Sequence, residues 1–163
     1  MNKLWITLGW LWVLPAWAHG DAMHADAAKP VVMEQKPWGI AAQGAVKRTI
    51  EVTMDDRMRF TPDVIDVQQG ERVRLRIRNV GQTMHELVLG THEELMAHAQ
   101  MMKKFPGMEH DEPYMAHVAP GRNAEILWTF NRAGQFEFAC LLPGHYDAGM
   151  KGSIQVMQKG KHK

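Results

Sequence analysis

Cysteine is all but missing: Cys140 is the only one in 163 residues. A fold held by intrachain disulfides is therefore excluded, and so is a binuclear copper centre, which needs two thiolates. A large charge of one sign is missing too, the formal net charge being +1. That argues against a nucleic-acid footprint, which needs a clustered basic excess. The stretch Arg72-Val73-Arg74-Leu75-Arg76-Ile77-Arg78 alternates strictly and reads instead as a strand with one solvated face. A long apolar run occurs once, from Leu4 to Leu14, and is well short of the ~20 residues that span a bilayer.

That run has the context of an export signal. Lys3 precedes it, Pro15 breaks it, and Ala16-Trp17-Ala18 offers the small-x-small pattern of a cleavage site. We expect a signal peptide over 1–18, export to the periplasm, and a mature chain that begins at His19 and has no stable membrane insertion. A free amine beside the His19 imidazole, with Met23 and His24 nearby, would form a chelating pair for Cu(II). The plainer reading of these residues is an arm with incidental histidines.

A lone exported thiol is buried and inert, cross-linked between chains, or held by a metal. Composition favours the metal: 13 Met and 9 His accompany one Cys and two Tyr. Thiolate, thioether and imidazole are the ligands that suit copper.

Residues 19–47, rich in Ala, Gly and Pro, show no sustained period and are expected to form a flexible arm. Alternation begins at Arg48. Strands are predicted at Thr49–Met54, Val64–Val67, Arg72–Val80, Glu86–Leu89, Met115–Val118, Ala124–Phe130, Gln135–Cys140 and Gly152–Val156. Thr91 with Glu94 is a capping-box signature, so His92–Lys104 is predicted to be a helix that Pro106-Gly107 stops. Short strands with frequent turn signals point to an all-β, antiparallel sandwich over 48–158 with one helical and loop insertion, followed by a basic tail at 159–163.

The chemistry concentrates in Cys140-Leu141-Leu142-Pro143-Gly144-His145-Tyr146-Asp147-Ala148-Gly149-Met150, a C-x4-H-x4-M spacing. Cys140 ends a predicted strand and Pro143-Gly144 turns the chain, so one loop directs three ligands at one point. A type 1 copper site needs two imidazoles and a thiolate in a plane, with a weak axial thioether. The loop supplies one imidazole. The second is best sought at His85, which begins a strand at a sandwich end; His92, His98, His110 and His117 lie in or beyond the insertion and are less well placed. Leu141, Leu142 and Pro143 would form an apolar collar around the outer edge of His145, suited to a transient partner.

With these residues in view, the chain resembles the cupredoxin family of plastocyanin, azurin and rusticyanin over roughly Val46 to Met157. The helical insertion and the run Phe105–Met115 are similar to those of periplasmic copper-tolerance cupredoxins of bacteria. The resemblance implies a Greek-key β-sandwich with one redox-active copper on His85, Cys140, His145 and Met150. It implies copper ions and a transient redox or copper-transfer protein as partners. The Met- and His-rich insertion is a departure from simple electron carriers such as plastocyanin.

The expected role is copper handling in tolerance; the alternative is a small soluble electron-transfer protein of a respiratory chain. Multicopper oxidases and copper nitrite reductases need further histidine clusters and a second domain, so no enzyme is expected, with Cu(I) oxidation during detoxification left open. A second, more exposed copper site is expected from part of the set Met108, His110, Met115 and His117, with His98 near Met101 and Met102 on the helix. Against it stands a bland reading in which Met101 or Met102 packs on the sandwich and the histidines are solvated.

Overall fold

The structure is a computed structural model and describes residues 33–105 and 112–160. The signal peptide, the His19 chelate, Met108, His110 and the last three residues of the tail lie outside the described residues.

Period-2 burial builds two sheets. One contains β1 (Gln35–Lys36), β2 (Gly39–Ala41), β3 (Arg48–Asp55), β4 (Arg59–Thr61), β6 (Glu71–Asn79) and β9 (Asn123–Phe130), in the order β1-β2-β9-β6-β3-β4. The other contains β5 (Val64–Gln68), β7 (His85–Gly90), β8 (Met115–Val118), β10 (Gly134–Ala139) and β11 (Lys151–Met157), in the order β5-β11-β10-β7-β8. In β6, Val73, Leu75 and Ile77 are fully buried while Arg72, Arg76 and Arg78 are exposed, as the alternation requires. The exposed pairs Arg76–Glu51 (3.0 Å) and Arg74–Glu125 (3.2 Å) flank that ladder. Such pairs contribute about 0–1 kcal/mol each, so the buried face holds the sandwich.

The expectation of a purely antiparallel sandwich is corrected at two pairs. β3 runs parallel to β6, with Ile50 opposite Leu75, and β5 runs parallel to β11, with Ile65 opposite Ile154. Alternation reveals which face of a strand is buried but carries no information on its neighbour's direction. Between β3 and β6 the chain crosses to the other sheet and back, which is what allows the parallel pairing.

The flexible arm expected through residue 47 is also corrected. β1 and β2 extend the first sheet beyond β9, and Trp38, Ala41 and Ala42 are buried. Trp38 stacks on Trp128 at 4.4 Å between centroids and donates its Nε1–H to Glu94 Oε2 (2.8 Å). Two strands of two and three residues are too short to show a period, which is why composition dominated the sequence reading.

Helix α1 (His92–Lys104) has the predicted bounds. Thr91 Oγ1 accepts the Glu94 N–H, and the Glu94 carboxylate accepts the Thr91 N–H (3.0 Å), so the capping box is complete. Leu95 and Met102 are its buried residues, while Met101 is exposed. Leu95 joins Val88, Met115, Ala139 and Leu141 in a second cluster. These sheet residues alternate with the core residues Leu87, Leu89, Phe138 and Cys140, so the helix covers the outer face of the second sheet.

Trp38→Ala should therefore cost about 3–5 kcal/mol, the usual range for deleting a buried aromatic side chain. Urea denaturation of the mature protein checks this; a cost below about 1 kcal/mol would return the segment to the arm.

Candidate metal centre

The centre forms where β7 and β10 run side by side, with Ala139 opposite Val88. Cys140 continues β10 by one residue and His85 opens β7, so both leave the same end of one sheet. Both side chains are fully buried. The loop 140–150 then returns on itself. Its turns are closed by His145 N–H to Leu142 C=O (3.0 Å), Ala148 N–H to Gly144 C=O (3.0 Å) and Gly149 N–H to Tyr146 C=O (2.9 Å). Met150 N–H donates to His145 C=O (3.0 Å), and Cys140 N–H donates to Met150 C=O (3.1 Å). Backbone hydrogen bonds thus lock the three loop residues to one another. Gly149 has a φ of +100°, a backbone conformation that side-chain-bearing residues rarely adopt, so glycine favours the return.

The donor atoms converge. His145 Nδ1 lies 3.2 Å from Cys140 Sγ and 3.3 Å from His85 Nδ1, and the three donors all fall within 4.8 Å of one another. Metal–nitrogen and metal–sulfur bonds of about 2.0 and 2.3 Å, as found at zinc, would place donors in a trigonal plane roughly 3.5 Å apart. The three residues fit a small soft cation with little rearrangement. Met150, also fully buried, belongs to the same core cluster as Cys140 and is the candidate thioether donor. One thiolate, two imidazoles and one thioether make a donor set for copper. His85, Cys140, His145 and Met150 form a candidate type 1 copper site.

Burial pushes the Cys140 thiol up to about 12, and the nearby Glu86 carboxylate adds to the effect. The backbone N–H groups of Glu86 (3.4 Å from Sγ) and Leu142 oppose it by favouring the thiolate. Without metal the sulfur carries its proton at neutral pH. His145 is held below the ordinary histidine range, first by burial and then by the facing His85 ring. Its imidazole is neutral at neutral pH, with a lone pair for a metal.

Two carboxylates absent from the sequence reading touch this centre. Asp56, in the β3–β4 turn, lies 3.1 Å from His85 Nε2. Glu86 is fully buried on the outer face of β7, accepts the Leu141 N–H (2.7 Å), and lies 2.9 Å from His117 Nε2. A charged residue inside the run Glu86-Leu87-Val88-Leu89 was the visible signal for Glu86; nothing local marked Asp56.

The second copper site is not assembled among the described residues. Met115 is buried in the cluster under α1, and His117 is engaged by Glu86. Met102 is buried and Met101 is exposed, which fits the methionine half of the bland reading, but His117 is half-buried against Glu86 instead of solvated. The collar around His145 is corrected at Leu141, which turns inward to that same cluster; Leu142 is half-buried and Pro143 exposed.

Comparison with known proteins agrees with this geometry. The family model for copper-binding proteins of the plastocyanin/azurin family matches residues 46–157. The chain is 49% identical to the copper-resistant cuproprotein CopI of Rubrivivax gelatinosus over 140 residues, which cover 85% of this chain and 81% of the relative. It is 38% identical to the CopI protein of Pseudomonas aeruginosa, with 73% and 82% covered. The auracyanin of Roseiflexus castenholzii superposes with a TM-score of 0.59 at 21% identity, covering 69% of this chain and 98% of that one; this shows the fold alone.

Two outcomes follow from the donor set. Copper must displace the Cys140 proton, so between about pH 7.5 and 9, above the ordinary histidine range, affinity should rise about tenfold per pH unit. Competition with a chromophoric chelator measures it, and a flat profile would mean that the thiol is already ionised. Met150→Leu should keep copper but shift the visible spectrum and the potential, because a thioether would be the weakest of the four ligands. Loss of copper in that variant would contradict a weak-ligand role.

Proposed function

The chain belongs to the plastocyanin/azurin family of copper-binding proteins, and we propose that within it this protein serves copper tolerance in the periplasm, binding one redox-active copper at His85, Cys140, His145 and Met150. The observation that carries the tolerance reading is the extent of likeness to relatives described as copper-resistant cuproproteins. A match over 85% of the chain cannot avoid α1 and its flanks. The likeness therefore includes the insertion as well as the sandwich.

The donor set supports the chemistry. Copper, when bound, supplies a one-electron Cu(I)/Cu(II) couple. The chain's residues restrain it: His85 comes from the rigid end of a sheet, and the loop donors are tied through the Cys140, His145 and Met150 backbone. Little rearrangement is then needed between oxidation states. Buried Cys140 and Met150 keep water away, while half-buried His145 is the ligand that reaches toward the surface and a redox or copper-transfer partner.

Export supports a periplasmic place. The apolar run with its Ala-Trp-Ala site is the reason for it, and among the described residues no helix is long and apolar enough to cross a membrane. The role is binding and electron exchange, not turnover of an organic substrate.

Deleting the gene should make cells copper-sensitive, and the parent chain should restore growth on copper whereas Cys140→Ser should not. Growth curves over a copper series measure this. Normal copper tolerance with slowed respiration would move the protein to the electron-shuttle reading.

A further inference from the structure

The loop before His85 is clasped from the neighbouring β3–β4 turn by one carboxylate. That turn is closed by Met58 N–H to Asp55 C=O (3.0 Å) and presents Asp56 to residues 81–85. Asp56 Oδ2 accepts the Gln82 N–H (2.7 Å), and Oδ1 accepts the Thr83 N–H (3.2 Å) and the Thr83 hydroxyl (2.8 Å). The same Oδ1 lies 3.1 Å from His85 Nε2, with Thr83 Oγ1 at 3.3 Å from that nitrogen. Gly81 makes room for it, since a Cβ there would overlap the Asp56 carboxylate.

These contacts assign hydrogen positions. The Thr83 hydroxyl donates to Asp56, so its oxygen is left to accept. Both neighbours of His85 Nε2 are then acceptors, and Nε2 must carry the proton. Nδ1, which faces Cys140 and His145, is left with its lone pair free. A carboxylate on the remote nitrogen of a ligating histidine fixes its tautomer and makes the ring a stronger donor.

We infer that Asp56 is a positioning residue that presents His85 to copper through Nδ1 and, by its negative charge, favours Cu(II) over Cu(I). The inference rests on the copper site proposed above. It adds a device on the rigid side of that site, distinct from the ligand loop. Asp56 is 38% exposed, so solvent screens its charge and the effect falls at the low end of the ~10–100-fold range for such partners. The loop has a second brace that is independent of Asp56: buried Asn79 donates to Thr83 C=O (2.7 Å) and Val118 C=O (2.8 Å), and accepts the Gly81 N–H (2.9 Å). Removing the charge alone should leave the loop in place.

Asp56→Asn keeps one carbonyl oxygen for Thr83 and His85, gives up the acceptor of the Gln82 N–H, and removes the charge, while the Asn79 brace still holds the loop. In this variant the ratio of Cu(II) to Cu(I) affinity should fall about tenfold, read as a rise of about 59 mV in potential for a one-electron couple. Thr83→Val, which removes the hydroxyl but keeps the carboxylate, should change that ratio less than twofold. An Asp56→Asn ratio within twofold of the parent, or an equal change in both variants, would overturn the inference. A readout free of metal and of any variant is the imidazole 15N spectrum of the copper-free parent protein. His85 should be the Nε2–H tautomer there, and an Nδ1–H tautomer would overturn the assignment. If the parent fails to bind copper with a sulfur-to-copper band, the site reading itself fails, an outcome separate from these.

Discussion

The closure of the 140–150 loop on the end of β10 is the constraint on which the site depends. Cys140 N–H donates to Met150 C=O, and Met150 N–H donates to His145 C=O, so three donors ten residues apart share one backbone unit. The Glu86 N–H then points at the Cys140 sulfur, and the Glu86 carboxylate takes the next N–H of the loop, from Leu141. β7 therefore carries both the second imidazole and the group that pins the thiolate loop. Packing on either side makes this rigid: the inter-sheet core holds Cys140 and Met150, and the cluster under α1 holds Leu141 and Ala139.

Function follows from restraint more than from the ligands alone. A thiol that burial keeps protonated becomes a ligand only when a cation takes the proton's place, so affinity and proton release are coupled. The centre has carboxylates on two sides, with Asp56 against the remote nitrogen of His85 and Glu86 behind the sulfur. The insertion takes part less directly. It roofs the outer face of the sheet and meets the N-terminal strands through Glu94 and Trp38, which links the likeness to copper-resistant relatives to structure beyond the metal loop.

Much of this was legible in one dimension, for identifiable reasons. The ligand loop could be read because its chemistry is local: a strand-ending Cys, a Pro-Gly turn, a His and a Met at fixed spacing. The helix was legible to the residue because Thr91 and Glu94 cap each other across three positions. The burial of β6 was legible because its arginines alternate with Val73, Leu75 and Ile77. By contrast, β1 and β2 were read as an arm, since five strand residues cannot show a period. Trp38 became a core residue through distant partners, above all Trp128, ninety positions away.

The sequence by itself determined the spacing of the loop donors Cys140, His145 and Met150, the all-β class and the helix, because each rests on local pattern. His85 stood as one candidate among several histidines until β7 and β10 placed it beside Cys140. Tertiary structure decided what those residues face. It set the parallel pairs, turned Leu141 inward, and placed His117 against Glu86. It also brought Asp56 from a turn 29 positions upstream to the back of His85. Such pairings depend on how strands cross between two sheets, and period-2 alternation carries no record of that crossing.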